Sequence, residues 1–227
     1  TILFEIQSAF DKVWHTGLLS KLIEIKLDSH IINLIKNFFS FRIAEALVGD
    51  TKLESFVQQT GVPQGACLSP LLFSIYINYI LAMHNKNKSF TLMFADDLTL
   101  NVIFRKSEPI EKHINNQLQD VVNWLNKWRL KFAPHKCDYI IFQHGKSTEL
   151  NLKIYDKEIC KTQVATFLGI TFDTRLTFKN HIINLEKRAQ NRLNLIKIVS
   201  NSKFGLDTNT LLYIYRSLMT SLFNYEP

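Results

Sequence analysis

Cysteine is scarce in this 227-residue chain, and the three present, Cys67, Cys137 and Cys160, include no Cys-x-x-Cys pair. An odd, widely spaced set excludes a disulfide framework and a zinc knuckle, and points to a reducing, intracellular setting. No apolar run approaches the ~20 residues of a membrane span, and no charged-then-apolar leader opens the chain, so no membrane partner is expected. Internal repeats and low-complexity tracts are also missing. Acid is in short supply: 20 Asp and Glu face 27 Lys and Arg, a net charge of +7 with pI near 9.2. That balance leans toward an anionic partner such as nucleic acid. A composition 46% hydrophobic and 21% charged disfavours disorder and coiled coil, and the length allows one domain or two lobes.

The opening residues, Thr1-Ile2-Leu3-Phe4-Glu5-Ile6, read as a strand already under way, as in a fragment whose natural protein continues upstream. Asp28-Ser29 caps an amphipathic helix carrying Ile31, Ile32, Leu34, Ile35, Phe38 and Phe39. Residues 42–47 and 52–57 read as a hairpin turned at Gly49-Asp50. Gly61-Val62-Pro63-Gln64-Gly65 is a loop, and Ser69-Pro70 starts a helix apolar all round, hence expected to be buried. Ser107 is the expected cap of a helix bearing Ile110, Ile114, Leu118, Val121, Val122 and Leu125. Strands are expected at 139–142, 152–154 and 167–172. Beyond Asn180 the pattern turns helical, with Ile182, Leu185, Ala189, Leu193 and Ile196 on one face, and again after Asp207. This order gives an α+β lobe followed by a helical one.

Between the apolar runs Leu92-Met93-Phe94-Ala95 and Leu98-Thr99-Leu100-Asn101-Val102 sit Asp96 and Asp97, a hairpin tipped by two carboxylates. Asp-Asp in a turn is usually turn chemistry. Paired anions at such a tip also suit a hard divalent cation that supplies the compensating charge.

Three segments taken together resemble one family. Glu5-Ile6-Gln7-Ser8-Ala9-Phe10-Asp11-Lys12-Val13-Trp14-His15, Gly61-Val62-Pro63-Gln64-Gly65 with Ser69-Pro70-Leu71-Leu72-Phe73, and Phe94-Ala95-Asp96-Asp97 resemble motifs A, B and C of a reverse transcriptase, in that order. Residues 124–136 resemble motif D of the jockey-like non-LTR retrotransposon polymerases, and Phe167-Leu168-Gly169-Ile170-Thr171-Phe172-Asp173 the segment leading into their thumb. The resemblance implies an α+β right-hand polymerase: a palm over 1–173, its antiparallel sheet packed with helices, then a helical, basic thumb over 174–227, with the fingers largely absent.

It also implies an RNA template, a DNA primer and dNTP substrates, two Mg²⁺ ions with Mn²⁺ as a possible substitute, and a nuclear location; oligomeric state is left open. The metals fall to Glu5, Asp96, Asp97 and the main-chain carbonyl of Ile6, with carboxyl oxygens expected roughly 3 to 6 Å apart around ions about 4 Å from each other. Phe10 matches the residue that excludes a 2′-hydroxyl, Gln64 and Gly65 the loop along the nascent base pair, and Lys136 the residue thought to protonate the leaving pyrophosphate. Lys187, Arg188 and Arg192 lie in a stretch, residues 175–203, with seven basic residues including Lys203 and one acid, Glu186; they are the candidate phosphate contacts.

Two departures from the family pattern stand out. Motif A begins with Asp in the family and with Glu5 here, and Ser8 stands where relatives commonly carry Lys. An added methylene moves a carboxylate by roughly 1 Å, which can cost on the order of a hundredfold in rate. A second reading therefore stands beside the polymerase: a catalytically impaired remnant that binds nucleic acid. Trp124 and Trp128 are expected to be packing residues, His135 with Cys137 is too sparse for a metal site, and Cys67 is expected to be a small buried filler.

Overall fold

The computed structural model describes residues 1–49, 51–83, 88–105, 109–143, 148–201 and 205–225. Ser107, Lys203 and Asp50 of the expected Gly49-Asp50 turn lie outside them. The chain divides into two compact units, residues 1–139 with 148–161, and residues 140–147 with 162–227.

The first unit is built on a short apolar strand, β1 (Ile2–Glu5), followed by helices α1 (His15–Glu24) and α2 (Ser29–Phe39). Asp28 caps α2 as its sequence predicts, its carboxylate accepting from the His30 N–H at 2.8 Å. Only Ile35 and Phe39 of α2 are buried; Ile31 and Leu34 stay exposed. The expected hairpin forms as short ladders, β2 (Ile43–Ala44) with β5 (Phe56–Val57) and, nested inside, β3 (Leu47–Val48) with β4 (Thr51–Lys52).

Helix α3 (Ser69–Ile77) follows the glycine loop with Pro70 in its first turn, and α4 (Tyr79–Ala82) extends it. Its apolar composition overstated its burial. Leu72, Phe73, Tyr76, Ile77 and Ile80 are buried, whereas Leu71 is 58% exposed, because one face alone meets the unit's core. Strands β6 (Ser89–Phe94) and β7 (Asp97–Val102) form the acid-tipped hairpin, and α5 (Glu111–Lys127) buries Ile114, Leu118, Val121, Val122 and Leu125 at helical spacing.

A 3₁₀ turn (Pro134–Lys136) leads to β8 (Asp138–Tyr139), shorter than the expected strand, and then to β9 (Lys153–Ile154), β10 (Lys157–Glu158) and β11 (Cys160–Lys161). The main sheet runs β11-β8-β1-β7-β6, antiparallel except for β11 against β8. Alternation along β1 buries Ile2 and Phe4 with Leu98 and Leu100 of β7, and leaves Leu3 and Glu5 on the opposite face, half-buried. The Phe4 ring stacks on Phe132, centroids 4.6 Å apart.

In the second unit, the segment expected as one strand at 167–172 is a hairpin instead, β12 (Val164–Phe167) and β13 (Ile170–Asp173). Leu168 and Gly169 both have positive φ, 49° and 84°, as a two-residue type I′ turn requires. This hairpin, which the sequence reading places with the palm, clusters with the helices α6 (Lys179–Val199), α7 (Thr208–Tyr215) and α8 (Ser221–Tyr225), a π turn (Arg216–Thr220) joining the last two. Asp207 caps α7 through the N–H groups of Asn209 and Thr210. Ala189, Met219 and Leu222 form the buried cluster here, flanked by Leu185, Leu193 and Ile196. Ile182, expected on that face, is 58% exposed. No helix of the described residues is long and apolar enough to cross a membrane.

Candidate active site

Strand register assembles the acidic centre. β1 and β7 pair antiparallel with Glu5 opposite Asp97, so two residues 92 apart in sequence share one face of the sheet, their Cβ atoms about 5 Å apart. Asp96 sits in the two-residue turn of the β6–β7 hairpin, and its carbonyl accepts the Ile6 N–H at 3.1 Å, tying the turn to the end of β1. Ala95 before it has φ 51°, left-handed backbone that a non-glycine residue holds at a cost of about 1 kcal/mol. Like carboxylates set opposite one another repel. Burial, then Asp96, then Glu5, push the Asp97 carboxyl above its usual value, against the opposing pull of Lys136.

Lys136 reaches this centre through the backbone. The Gln7 N–H donates to the Lys131 carbonyl and the Ala133 N–H to the Glu5 carbonyl, both at 2.9 Å, so residues 131–133 run beside the end of β1. The 3₁₀ turn then directs the Lys136 ammonium onto the Glu5 carboxylate as an ion pair.

A fit to divalent metal can be judged from the donor set. Three carboxylates and a main-chain carbonyl are hard oxygen ligands of the type Mg²⁺ takes, and the register sets two of the acids, Glu5 and Asp97, opposite one another. Chemically they fit. Their ligating geometry is not assembled, since among the described residues no three His, Cys, Asp or Glu side chains gather closely enough to hold an ion, and Glu5 is engaged by Lys136.

Beside the acids opens a cavity of about 370 Å³ whose wall includes Ser8, Phe10, Gln64, Gly65, Ser69 and Asp96. It therefore gathers residues from all three motifs. Phe10 is half-buried and stacks on Phe73, centroids 4.8 Å apart, so it is at once a packing residue and part of the wall. Gly65 has φ 91° with open space where a Cβ would stand, which exposes its backbone to whatever enters. Ser69 Oγ donates to the Pro63 carbonyl at 2.5 Å, holding the loop to the start of α3. Ser8 adopts φ 49°, a second strained position at this wall.

The remaining sites fall as follows. Lys187 and Arg188 are exposed on α6. Arg192 is half-buried, and its guanidinium donates to the Leu218 carbonyl and, at 3.4 Å, to Ser221 Oγ, so it ties α6 to the segments that follow α7. Cys67 is exposed, contrary to the expected buried filler, because the loop leading to α3 lies at the surface. Trp124 and Trp128 are packing residues, as expected, with Trp128 edge-on to Tyr76. Sequence reasoning assigned no role to Asp11, whose carboxylate accepts from Gln64 Nε2 at 3.2 Å, or to His15 and Arg42, which both donate to the Gly61 carbonyl. Asp11 and His15 lie inside the motif A segment, and that placement was the available signal.

Comparison with known proteins agrees with this architecture. The profile of the family described as reverse transcriptase (RNA-dependent DNA polymerase) matches residues 1–172. Similar proteins include the RNA-directed DNA polymerase from mobile element jockey of Drosophila funebris, 28% identical over 223 residues, covering 92% of this chain and 24% of the relative. The probable RNA-directed DNA polymerase from transposon BS of Drosophila melanogaster is 25% identical over 231 residues, covering 99% of this chain and 25% of the relative. The chain thus spans about a quarter of the length of these relatives. Among solved structures, apo telomerase from Candida tropicalis superposes with a TM-score of 0.57 at 14% identity, covering 99% of this chain and 41% of that one. Telomerase from the same organism in complex with a fragment of telomeric RNA gives 0.56 at 15%, covering 98% and 38%.

The fold is that of a polymerase palm with a helical thumb. The chain belongs to the reverse transcriptase family, and its relatives are polymerases of non-LTR retrotransposons.

Proposed function

We propose that this chain carries the nucleotide-addition site of an RNA-directed DNA polymerase, which extends a DNA 3′-end with dNTPs against an RNA template inside the cell, in the nucleus. The observation that carries the reading is the register placing Glu5 opposite Asp97 beside a cavity walled by Phe10, Gln64, Gly65 and Asp96. Asp96, Asp97, Glu5 and the Ile6 carbonyl would hold two Mg²⁺ ions, or Mn²⁺ in their place. When bound, such a pair stabilises the attacking and leaving oxygens of an in-line phosphoryl transfer.

The chain's own side chains do the rest. Phe10, braced by Phe73, presents a bulky ring where a 2′-hydroxyl would lie. Gln64 hydrogen-bonds template or nucleotide, and the Gly65 backbone lets the nascent pair approach closely. Lys136 holds its proton at Nζ, within reach of the acidic centre, for the departing pyrophosphate. Lys187 and Arg188 bind phosphates of the RNA/DNA duplex. Arg192 supports them from within the helical unit, its guanidinium holding the Leu218 carbonyl.

The second reading, an impaired nucleic-acid-binding remnant, is favoured by the Glu5–Lys136 ion pair, which occupies a carboxylate that the metals need. Primer extension separates the two. A protein extended upstream to match its relatives is assayed with Glu5 and with Glu5→Asp. Rates within about tenfold of each other support an active site built on Glu5, and a gain of about a hundredfold with Asp supports impairment. Absence of extension by both, with primer and template bound, refutes the polymerase reading.

A further inference from the structure

The loop 61–65 has no ladder of its own, so its polar groups must be satisfied from outside. The Gly61 N–H donates to the Val13 carbonyl at 2.9 Å and the Val62 N–H to the Phe10 carbonyl at 2.8 Å, while Thr60 Oγ1 donates to the Asp11 carbonyl at 3.0 Å. Gly61 lies so close to this segment that a Cβ would stand 2.7 Å from the Asp11 carbonyl oxygen. The buried Gly61 carbonyl then takes two donors at once, His15 Nε2 at 2.7 Å and Arg42 Nη1 at 2.8 Å. Both lone pairs of the oxygen are occupied, the saturated arrangement for a carbonyl.

Neither donor is loosely placed. The His15 ring stacks on the buried Phe39, centroids 4.3 Å apart and 8° from parallel, and the second nitrogen of Arg42, Nη2, donates to Gln58 Oε1 at 2.7 Å. Facing a carbonyl, Nε2 must carry the imidazole proton. Burial and, less strongly, the neighbouring Arg42 charge hold His15 below its ordinary pKa, against the opposing pull of the Gly61 bond, so the neutral ring donates without repelling the guanidinium.

Three residues beyond Gly61 comes the cavity wall, where the Gln64 side chain has a single longer bond to Asp11, 3.2 Å. The loop that carries this wall is therefore anchored on its upstream side at Gly61, as it is on its downstream side at Pro63, whose carbonyl accepts from Ser69 Oγ. We propose that His15 and Arg42 are positioning residues which, by gripping the Gly61 carbonyl from two sides, fix the loop whose Gln64 and Gly65 form the nucleotide-facing wall. This rests on the nucleotide-addition reading for what enters the cavity, and on the hydrogen bonds alone for what holds the loop.

The test uses four variants of the 227-residue chain. His15→Leu keeps bulk but loses the donor, His15→Gln places an amide nitrogen near the site of Nε2, Arg42→Gln removes the fork, and Arg42→Lys keeps only the charge. Hydrogen exchange is followed over residues 58–68, and binding of a fluorescent dATP analogue is measured by titration. His15→Leu and Arg42→Gln should speed exchange of the loop and weaken the analogue about tenfold, as expected when a positioned group loses a charge-assisted or buried hydrogen bond. His15→Gln should stay within about twofold of the parent. In the upstream-extended protein the loss should fall on KM for dNTP more than on kcat.

Exchange unchanged in both His15→Leu and Arg42→Gln overturns the proposal. So does a His15→Gln variant as loose as His15→Leu, which would leave ring stacking as the whole role of His15. Failure of the parent chain to bind the analogue would count against the nucleotide reading, and loop exchange would still decide the positioning role.

Discussion

Lys21 offers the sharpest quantitative test of this packing. It lies in α1 with only 1% of its surface exposed, its ammonium donating to the Tyr76 carbonyl. Aromatic rings surround it, with centroids 3.8 Å away for Trp128, 4.9 Å for Tyr79 and 5.0 Å for Trp124. These contacts offset only part of the lost hydration: burial lowers its pKa from 10.5 to about 8, with Glu24 opposing and Lys127 assisting. Below about pH 8 the folded chain carries the full cost of holding this proton, about 3 kcal/mol at 1.36 kcal/mol per pKa unit.

Between about pH 8 and 10.5 the unfolded chain keeps a proton that the folded chain has released, so stability rises with pH across that window. Linkage gives about 2 kcal/mol of recovery from pH 7 to about pH 9.5. Tyr76 and Cys137 work the other way, since burial pushes each up to about 12 and folding then loses stability once the unfolded groups ionise. Comparison with Lys21→Met, a flexible apolar side chain of similar length, largely removes that shared background.

Urea unfolding at pH 7 and about pH 9.5 should therefore show the parent gaining about 2 kcal/mol relative to Lys21→Met. At pH 7 the variant should be as stable as the parent or more so, as for other buried charges replaced by apolar groups. Equal pH dependence in the two proteins, or a Lys21 Nζ resonance titrating near its ordinary 10.5, would refute the argument.

Other perturbations read out different parts of the molecule. Gly61→Ala, at φ 87° and against Asp11 backbone, should cost about 2 to 4 kcal/mol in urea melts, whereas Gly49→Ala, at φ 60° in open space, should cost only about 1 kcal/mol; equal costs would remove the close approach from the account. Phe10→Ala in the upstream-extended enzyme should raise rNTP use relative to dNTP, and an unchanged ratio would leave Phe10 as the packing partner of Phe73 alone. Reversing Lys187 and Arg188 to Glu should flatten the dependence of log affinity for an RNA/DNA duplex on log salt by about 0.9 per lost contact on a B-DNA scale; an unchanged slope would make this a solvated helix face. Arg192→Glu should instead lower thermal stability, because its guanidinium holds the Leu218 carbonyl, and a melting curve identical to the parent's would contradict that.

What the residues determine alone is local. Asp28 and Asp207 announce helix starts because a carboxylate satisfies N–H groups two or three residues away. The spacing of Ile114, Leu118, Val121, Val122 and Leu125 settles α5, and the apolar runs flanking Asp96-Asp97 settle the hairpin, although its turn falls one residue earlier, at Ala95-Asp96, and Asp97 opens β7; side-chain period and turn chemistry act within a few residues. The same locality explains the misreadings. Composition cannot say which side of α3 meets the core, so exposed Leu71 looks like buried Leu72, and Ile182 is indistinguishable in pattern from the packed Leu185. The motifs name Glu5, Asp96, Asp97 and Lys136, but tertiary structure alone decided which partner each side chain meets. Glu5 meets Asp97 through strand register, Lys136 meets Glu5 across 131 residues, Arg192 reaches Leu218, and His15 and Arg42 converge on one carbonyl. Each of these contacts depends on how separate elements pack, and no residue's near neighbours in the chain encode that.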